Sequence, residues 1–560
     1  MKRFKCKIFN LSCILFFGWF SQVTQSQDRP NFIFILTDDQ SYGMMGCTGN
    51  DMVQTPNLDQ LAKDGVLFTN AHITSAICTP SRASILTSQF ERKHGINFNS
   101  GTSMSAEGWS NTYPVVMRNN GYYTGWVGKN HVPVGEGGYT SGLMENSFDY
   151  WYAGHGHLSF YPKDRHKIFE DAQSDTQVEV IGEGITDFLS NEQKLKGAIT
   201  FLDKRPEDKP FMLSVCFNLP HGNGTSSMQQ RETDDEIYKS LYRDKDLPLP
   251  EHYVAKADIK NLKLPESIHR AYDRQTGYAY VDRPETLKER YIRQLQAMTG
   301  IDRLVGQLRA TLKKQGLDKN TVLIFTSDHG LFMGQFGLGG KAFCYEQTTH
   351  VPMIVYNPAE KKKNRGITSD ALVQSIDVAP TMLAMAGITP PTTYQGKDLS
   401  KLLAGESSEV RDYLYTENLW STQFGNPRCE AVQDKEWKYI RYYKNETFSA
   451  KKKIEAAQAL GVNINKMLYK VNDIDLAQYR AFVEDPLQGE KPVYEELYHL
   501  TEDPKETTNL ALEKAYKDKL EYMRNVWTKE IKNARGTEPP MVLRYTADSE
   551  AERGKIIQPK

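Results

Sequence analysis

Four short runs of apolar residues punctuate this chain: Asn31-Phe-Ile-Phe-Ile-Leu36, Phe211 to Leu219, Thr321-Val-Leu-Ile-Phe-Thr326 and Val351 to Tyr356. Each is rich in β-branched and aromatic residues and bounded by turn formers, the pattern of strands buried on both faces. Ahead of the third run, Leu287, Tyr291, Leu295, Met298, Leu304, Leu308 and Leu312 repeat at helical spacing, and Gly316 closes the pattern. Strands alternating with helices predict an α/β domain, a sheet with helices on both faces. Residues 223–284 break the alternation. They are polar and carry Leu247-Pro-Leu-Pro250, so they read as an insertion that either shapes a pocket or decorates the surface.

Beyond about Ala404 the pattern changes again. Strand-like pieces at Trp437-Lys-Tyr-Ile-Arg-Tyr442 and Leu497-Tyr-His-Leu500 precede a helix predicted from about Ala511 to Asn533. These predict a smaller C-terminal α+β domain over 405–535, with a mobile tail at 536–560. At the other end, Lys2, Arg3, Lys5 and Lys7 precede an apolar core from Ile8 to Phe20, and Thr24-Gln25-Ser26 suits cleavage. Residues 1–26 therefore read as a signal peptide, too short in its apolar part to span a bilayer. Export to the periplasm or the extracellular space is expected, with no membrane span, and residues 27–404 form the large domain.

Composition narrows the partners. The chain has 69 basic and 70 acidic residues, a net charge of -1 that excludes a polyanion-coating protein, so no nucleic acid is expected. Past the leader stand Cys47, Cys78, Cys216, Cys344 and Cys429, an odd number too sparse for a disulfide framework.

Two of the apolar runs stop alike, in Thr37-Asp38-Asp39-Gln40 and Ser327-Asp328-His329-Gly330. Ligands of open α/β sheets sit beyond the carboxyl ends of strands. Three carboxylates gathered there repel one another unless a cation lies between them, and an oxygen-rich set favours a hard divalent ion. The alternative is that these acids cap the following helices. Cys78 stands on a Thr-Pro-Ser turn with Arg82 one helical turn on. A thiolate at a helix N-terminus is stabilised and fits an activated nucleophile, with His131 or His221 as partner. A thiol beside a hard cation is chemically odd, and the oddity disappears if oxygen replaces the sulfur.

Cys78-Thr79-Pro80-Ser81-Arg82 matches C-x-P-S-R, and through it the chain resembles the type I, formylglycine-dependent sulfatases of the alkaline-phosphatase-like superfamily. Gly128-Lys129-Asn130-His131, Pro220-His221, Ser327-Asp328-His329-Gly330, Lys341 with Glu346 and Val351-Pro352, and Glu496-Leu-Tyr-His-Leu500 with Asp503-Pro504 and Asn509-Leu510 resemble the family's motifs in order. The chain looks like a secreted bacterial polysaccharide sulfatase. The resemblance implies a large mixed sheet sandwiched by helices and conversion of Cys78 to formylglycine (3-oxoalanine) by a formylglycine-generating or anaerobic sulfatase-maturating enzyme. It also implies one Ca2+ held by Asp38, Asp39, Asp328, His329 and the converted Cys78. Departures are His329 where many members carry Asn, Ser88 where Gly is usual, and His350 where Arg is frequent.

By the same resemblance, the hydrated formylglycine attacks sulfur and later collapses to expel sulfate. Arg82 positions it, Lys129 and Lys341 neutralise the sulfate, and His131 accepts the proton that triggers collapse. His221, with Lys341, serves the leaving oxygen. The expected substrate is a sulfated carbohydrate, and Tyr139, Trp151, Tyr152, His155 and His157 offer either sugar-stacking surface or packing. Two other readings stay open: a phosphoester or phosphonate hydrolase of the same superfamily, and a sulfoglycan-binding protein with Cys78 unconverted.

Overall fold

The computed structural model describes residues 29–97, 102–135, 138, 141–155, 196–221, 240–265, 268, 278–419, 427–444, 449, 451, 455, 481–537 and 542–544. The expected leader at 1–26, most of the expected tail at 536–560, and Tyr139 and His157 lie outside the described residues.

Sixteen described strands follow in chain order: β1 Asn31–Asp38, β2 Val66–His72, β3 Thr102–Met104, β4 Tyr123–Asn130, β5 Tyr150–His155, β6 Phe211–Pro220, β7 Thr321–Ser327, β8 Phe332–Met333, β9 Gly339–Gly340, β10 Met353–Tyr356, β11 Ile367–Gln374, β12 Leu414–Asn418, β13 Arg428–Gln433, β14 Trp437–Tyr443, β15 Tyr494–His499 and β16 Val542–Arg544. Eight of them form one mixed sheet in the order β11-β2-β10-β7-β1-β6-β4-β5. From β7 to β5 the strands are parallel, while β10 runs antiparallel to both β7 and β2.

Burial on both faces explains the unbroken apolar runs. In β1, Phe32, Phe34 and Leu36 pack into one core and Ile33 and Ile35 into the other. The second core is closed by the helix Pro284–Lys314, which buries Leu295, Met298, Leu304 and Leu308 against Leu323 and Phe325. Proline at its first position and Lys313 and Lys314 in its last turn suit the helix dipole, and Gly316 at φ 71° turns the chain into β7. Among the described residues no helix is long and apolar enough to cross a membrane.

β12 to β15 form a separate antiparallel sheet, covered by the helix Lys517–Arg535 through Leu520, Met523, Val526, Trp527 and Ile531. The protein is thus a mixed α/β sheet sandwiched by helices, followed by a C-terminal antiparallel sheet with its helix. The stretch past Arg535 is not wholly loose, because β16 returns to pair with β3. Trp151 and Tyr152 on β5 are partly buried, each packed against one of the two cores.

Candidate active site

Four neighbouring parallel strands, β7, β1, β6 and β4, end at one edge of the large sheet. Asp38 closes β1 and Asp39 follows it; Asp328 and His329 follow β7; His221 follows β6; Lys129 lies near the end of β4. Adjacent parallel strands thus bring together residues 289 positions apart, as the contact between Asp39 and Asp328 shows, and the segment just past β9 adds Lys341 against Asp39. All of these side chains are buried, as is His131 just past β4.

The helix Cys78–Thr87 starts at this edge, with Cys78 its first residue. Cys78 Sγ lies 2.9 Å from Lys341 Nζ, 3.2 Å from His329 Nε2 and 3.6 Å from Asp38 Oδ1. One turn on, Arg82 Nε donates to Asp328 Oδ2 at 2.9 Å and Nη1 to the Lys129 carbonyl at 3.3 Å, with Nη2 3.5 Å from Asp38. Lys129 Nζ pairs with Asp38 Oδ2, and Lys341 Nζ donates to Asp39 Oδ1 at 2.9 Å. His221 Nε2 and His329 Nδ1 approach Asp39 at 3.6 and 3.3 Å.

Backbone geometry sets these positions. Gly128 has φ 108°, and a Cβ there would meet the Cys216 carbonyl oxygen at 2.0 Å, so only glycine lets β4 run this close to β6 just before Lys129. Asp39 sits in the left-handed region at φ 62°, held there as its N–H donates to Asp328 Oδ1 at 3.1 Å. Ser81 Oγ donates to the Asp328 carbonyl at 2.6 Å.

The electrostatics separate the groups. Burial opposes ionisation of Asp38, but Lys129, His221 and Arg82 outweigh it and hold the carboxyl well below the usual range. For Asp39 the same contest is decided by Lys341 and His221. Burial, reinforced by Asp38, raises Asp328. Burial pushes the Cys78 thiol up to about 12, against the pull of Lys341 and Lys129. Burial therefore works against the thiolate expected from a helix N-terminus and Arg82, whose guanidinium is directed at the carboxylates of Asp328 and Asp38. Burial lowers His221 to about 4, so it is neutral at pH 7, while Asp39 keeps the buried Lys341 protonated.

Donor chemistry fits a cation. Single ligand atoms of Asp38, Cys78, Asp328 and His329 all lie within 4.8 Å of one another, as do those of Asp38, Asp39, Cys78 and His221. Sequence reasoning did not reach Tyr278, whose hydroxyl donates to Asp39 Oδ2 at 3.4 Å. It comes from the insertion, where no periodicity or motif marks it.

Comparison with known proteins decides the family. The model of the family described as Sulfatase matches residues 30–388, well over half of the chain. The chain belongs to the sulfatase family. A second model, N-sulphoglucosamine sulphohydrolase, C-terminal, matches residues 334–454 of this sulfatase. Over 468 residues it is 28% identical to an N-acetylglucosamine-6-O-sulfatase of Bacteroides thetaiotaomicron, covering 74% of this chain and 79% of the relative. Its fold matches a protein solved with its substrate D-glucosamine-2-N,6-O-disulfate, at TM-score 0.61 and 22% identity over 91% of this chain and 99% of that one. A phosphonate monoester hydrolase from Silicibacter pomeroyi shares the fold at TM-score 0.64 and 19% identity, over 90% of this chain and 96% of that one.

Proposed function

We propose that this sulfatase removes sulfate from a sulfated carbohydrate, with residue 78 converted to formylglycine and a calcium-like divalent cation at the strand ends. The observation that carries the reading is the placement of Cys78 at a helix start, facing Asp38, His329 and Lys341 inside a wall of paired charges. The sugar substrates of the relative and of the structural neighbour support the carbohydrate.

Asp38, Asp39, Asp328, His329 and residue 78 would hold the cation, which supplies Lewis acidity toward a hydroxyl and a sulfate oxygen. Formylglycine supplies, as its hydrate, a nucleophilic oxygen with a built-in release route. The remaining work belongs to side chains of this chain. Arg82, tied to Asp328 and Asp38, fixes the orientation of residue 78. Lys129 and Lys341 take up the charge of the sulfate. Lys341 carries the proton needed at the leaving oxygen, where neutral His221 orients the same atom, and His131 accepts a proton from residue 78.

Cys78 is 1% exposed, so a maturation enzyme must reach it before the chain folds. The leader at 1–26 directs export, 27–404 is the catalytic domain with its insertion at 223–284, and 405–535 is the C-terminal domain.

Defined sulfated oligosaccharides, assayed for free sulfate beside aryl phosphate and a phosphonate monoester, test the reading. Sulfate release that stops on chelation and returns with calcium is the expected result. Phosphate or phosphonate turnover without sulfate release points to the hydrolase alternative, and binding of sulfated glycan without turnover to a lectin-like role.

A further inference from the structure

The helix Pro284–Lys314 buries a cation that no described carboxylate matches. Arg290, in its second turn, is 4% exposed. Its Nη2 donates to the His221 carbonyl at 2.6 Å and reaches the Pro220 carbonyl at 3.5 Å, so the guanidinium grips the end of β6 where His221 enters the catalytic site. Its central carbon lies 5.1 Å from the centre of the Tyr280 ring. Nε and Nη1 have no hydrogen-bond partner, and among the described residues no carboxylate pairs with Arg290.

Three other buried arginines are matched. Arg82 faces Asp38 and Asp328, Arg92 faces Glu417 and Glu430, and Arg428 faces Glu490. A guanidinium buried without an anion is costly, because two carbonyls and a ring face do not replace all the water it gives up. Such a group calls for a partner from outside the chain.

Its surroundings indicate which partner. Arg290 holds His221, whose Nε2 stands 3.6 Å from Asp39 Oδ2; the Tyr278 hydroxyl donates to that same oxygen at 3.4 Å, and Tyr278 packs on Tyr280 with ring centroids 5.9 Å apart. These contacts form a closed ring that runs from the strand-end site through Arg290 and back. Lys129 and Lys341 already pair with Asp38 and Asp39, whereas Arg290 keeps donors unused. The cation therefore stands beside the residue assigned to the leaving oxygen, the oxygen through which the sulfate is joined to the sugar.

We propose that Arg290 is a specificity-determining residue that binds a second acidic group of the substrate, a carboxylate or a further sulfate close to the ester that is cleaved. Resting on the assignment of the strand-end site to a carbohydrate sulfatase, this narrows the substrate to sugars that carry a uronate or more than one sulfate. A planar guanidinium takes either oxyanion through paired N–H donors. A neutral neighbour in that position leaves the cation buried and unmatched, which is a strong basis for rejection.

The test uses the full chain with Cys78→Ser, so that binding is measured without turnover. Calorimetry compares a monosulfated disaccharide bearing a hexuronate with its carboxyl-reduced twin, and a disulfated disaccharide with its monosulfated twin; the pair that is discriminated identifies the acid. With arginine at 290, the acid-bearing member of one pair is expected to bind about 10-fold or more tightly, a preference that Arg290→Met removes and Arg290→Lys partly keeps. Arg290→Met leaves no carboxylate without its partner, so the chain is expected to stay folded. Equal affinity within both pairs when arginine is present, or an undiminished preference in folded Arg290→Met, overturns the proposal. Sulfate release by the converted enzyme is scored separately: its absence overturns the sulfatase reading, whereas loss of the binding preference alone overturns only the role of Arg290.

Discussion

Lys341 carries the charge balance of the strand-end site, because its ammonium touches Asp39, Cys78 and His329 at 2.9, 2.9 and 3.5 Å. Removing it leaves Asp39 ionised without its strongest partner and takes a cation from the place proposed for the sulfate. Lys341→Ala should lower kcat by about 10²–10³-fold in sulfate-release kinetics, with a far smaller change in KM. An equal loss on both parameters would reassign Lys341 to ground-state binding. At this scale much of the site was legible before any coordinates. Cys78, Arg82, Asp38, Asp328 and Lys129 sit in short motifs whose order carries their meaning, and their side chains converge. Tyr278 was not legible, because its contact with Asp39 spans 239 residues and leaves no local pattern. Nor was the upward push of burial on the Cys78 thiol, since desolvation belongs to the folded surroundings and not to the neighbours in sequence.

Strands and helices set the tolerances of the site. β4 presses on β6 at Gly128, where a methyl group would strike the Cys216 carbonyl. Gly128→Ala should cost about 1–3 kcal/mol through a disfavoured φ alone, more through the clash, and should displace Lys129. A lowered melting temperature with a disproportionate loss of turnover is the expected pair of results.

The turn Glu91–His94 adds a pH dependence. His94 Nδ1 accepts the Ile96 N–H at 3.0 Å and Nε2 faces Ser84 Oγ at 3.0 Å, while burial lowers the ring to about 3. The folded chain refuses a proton that the unfolded chain accepts below about 6.5. Stability on this account is full above pH 6.5 and declines between 6.5 and 3, by about 1.4 kcal/mol per pH unit at most. Urea unfolding of His94→Asn at pH 4.5 and 7 should show a flatter profile than wild type.

The apolar runs announced β1, β6 and β7 because both faces of those strands are buried. They did not reveal that β10 is antiparallel, since a short buried strand has the same pattern in either direction. The pairing of β16 with β3 was likewise unreadable, a long-range match between two three-residue pieces.

At the scale of the whole molecule, the C-terminal sheet supports the site directly. Glu417 N–H donates to the Thr74 carbonyl and Asn418 Oδ1 accepts the Ala76 N–H, both at 2.9 Å, so β12 braces the loop leading into Cys78. Arg92 pins the same strand: its guanidinium pairs with Glu417 and Glu430 and donates to the Val483 carbonyl at 2.6 Å and to Tyr415 at 3.0 Å, all buried. Arg92→Ala strands two buried carboxylates and should destabilise the protein by about 3–5 kcal/mol. Its activity should fall as well, because the loop before Cys78 loses its brace. Wild-type stability in that variant would show that the two sheets dock without this pair.

The sequence pattern had placed the change of architecture near Ala404 but held no sign of this docking, which depends on one arginine reaching three separate segments. Everything in the catalytic reading rests on the chemistry of residue 78, and the peptide carrying it can be weighed. Protein purified from a host that supports maturation, and shown to release sulfate, should yield that peptide with oxygen in place of sulfur and two hydrogens fewer. Active protein whose peptide has only the mass of unmodified cysteine would contradict the account.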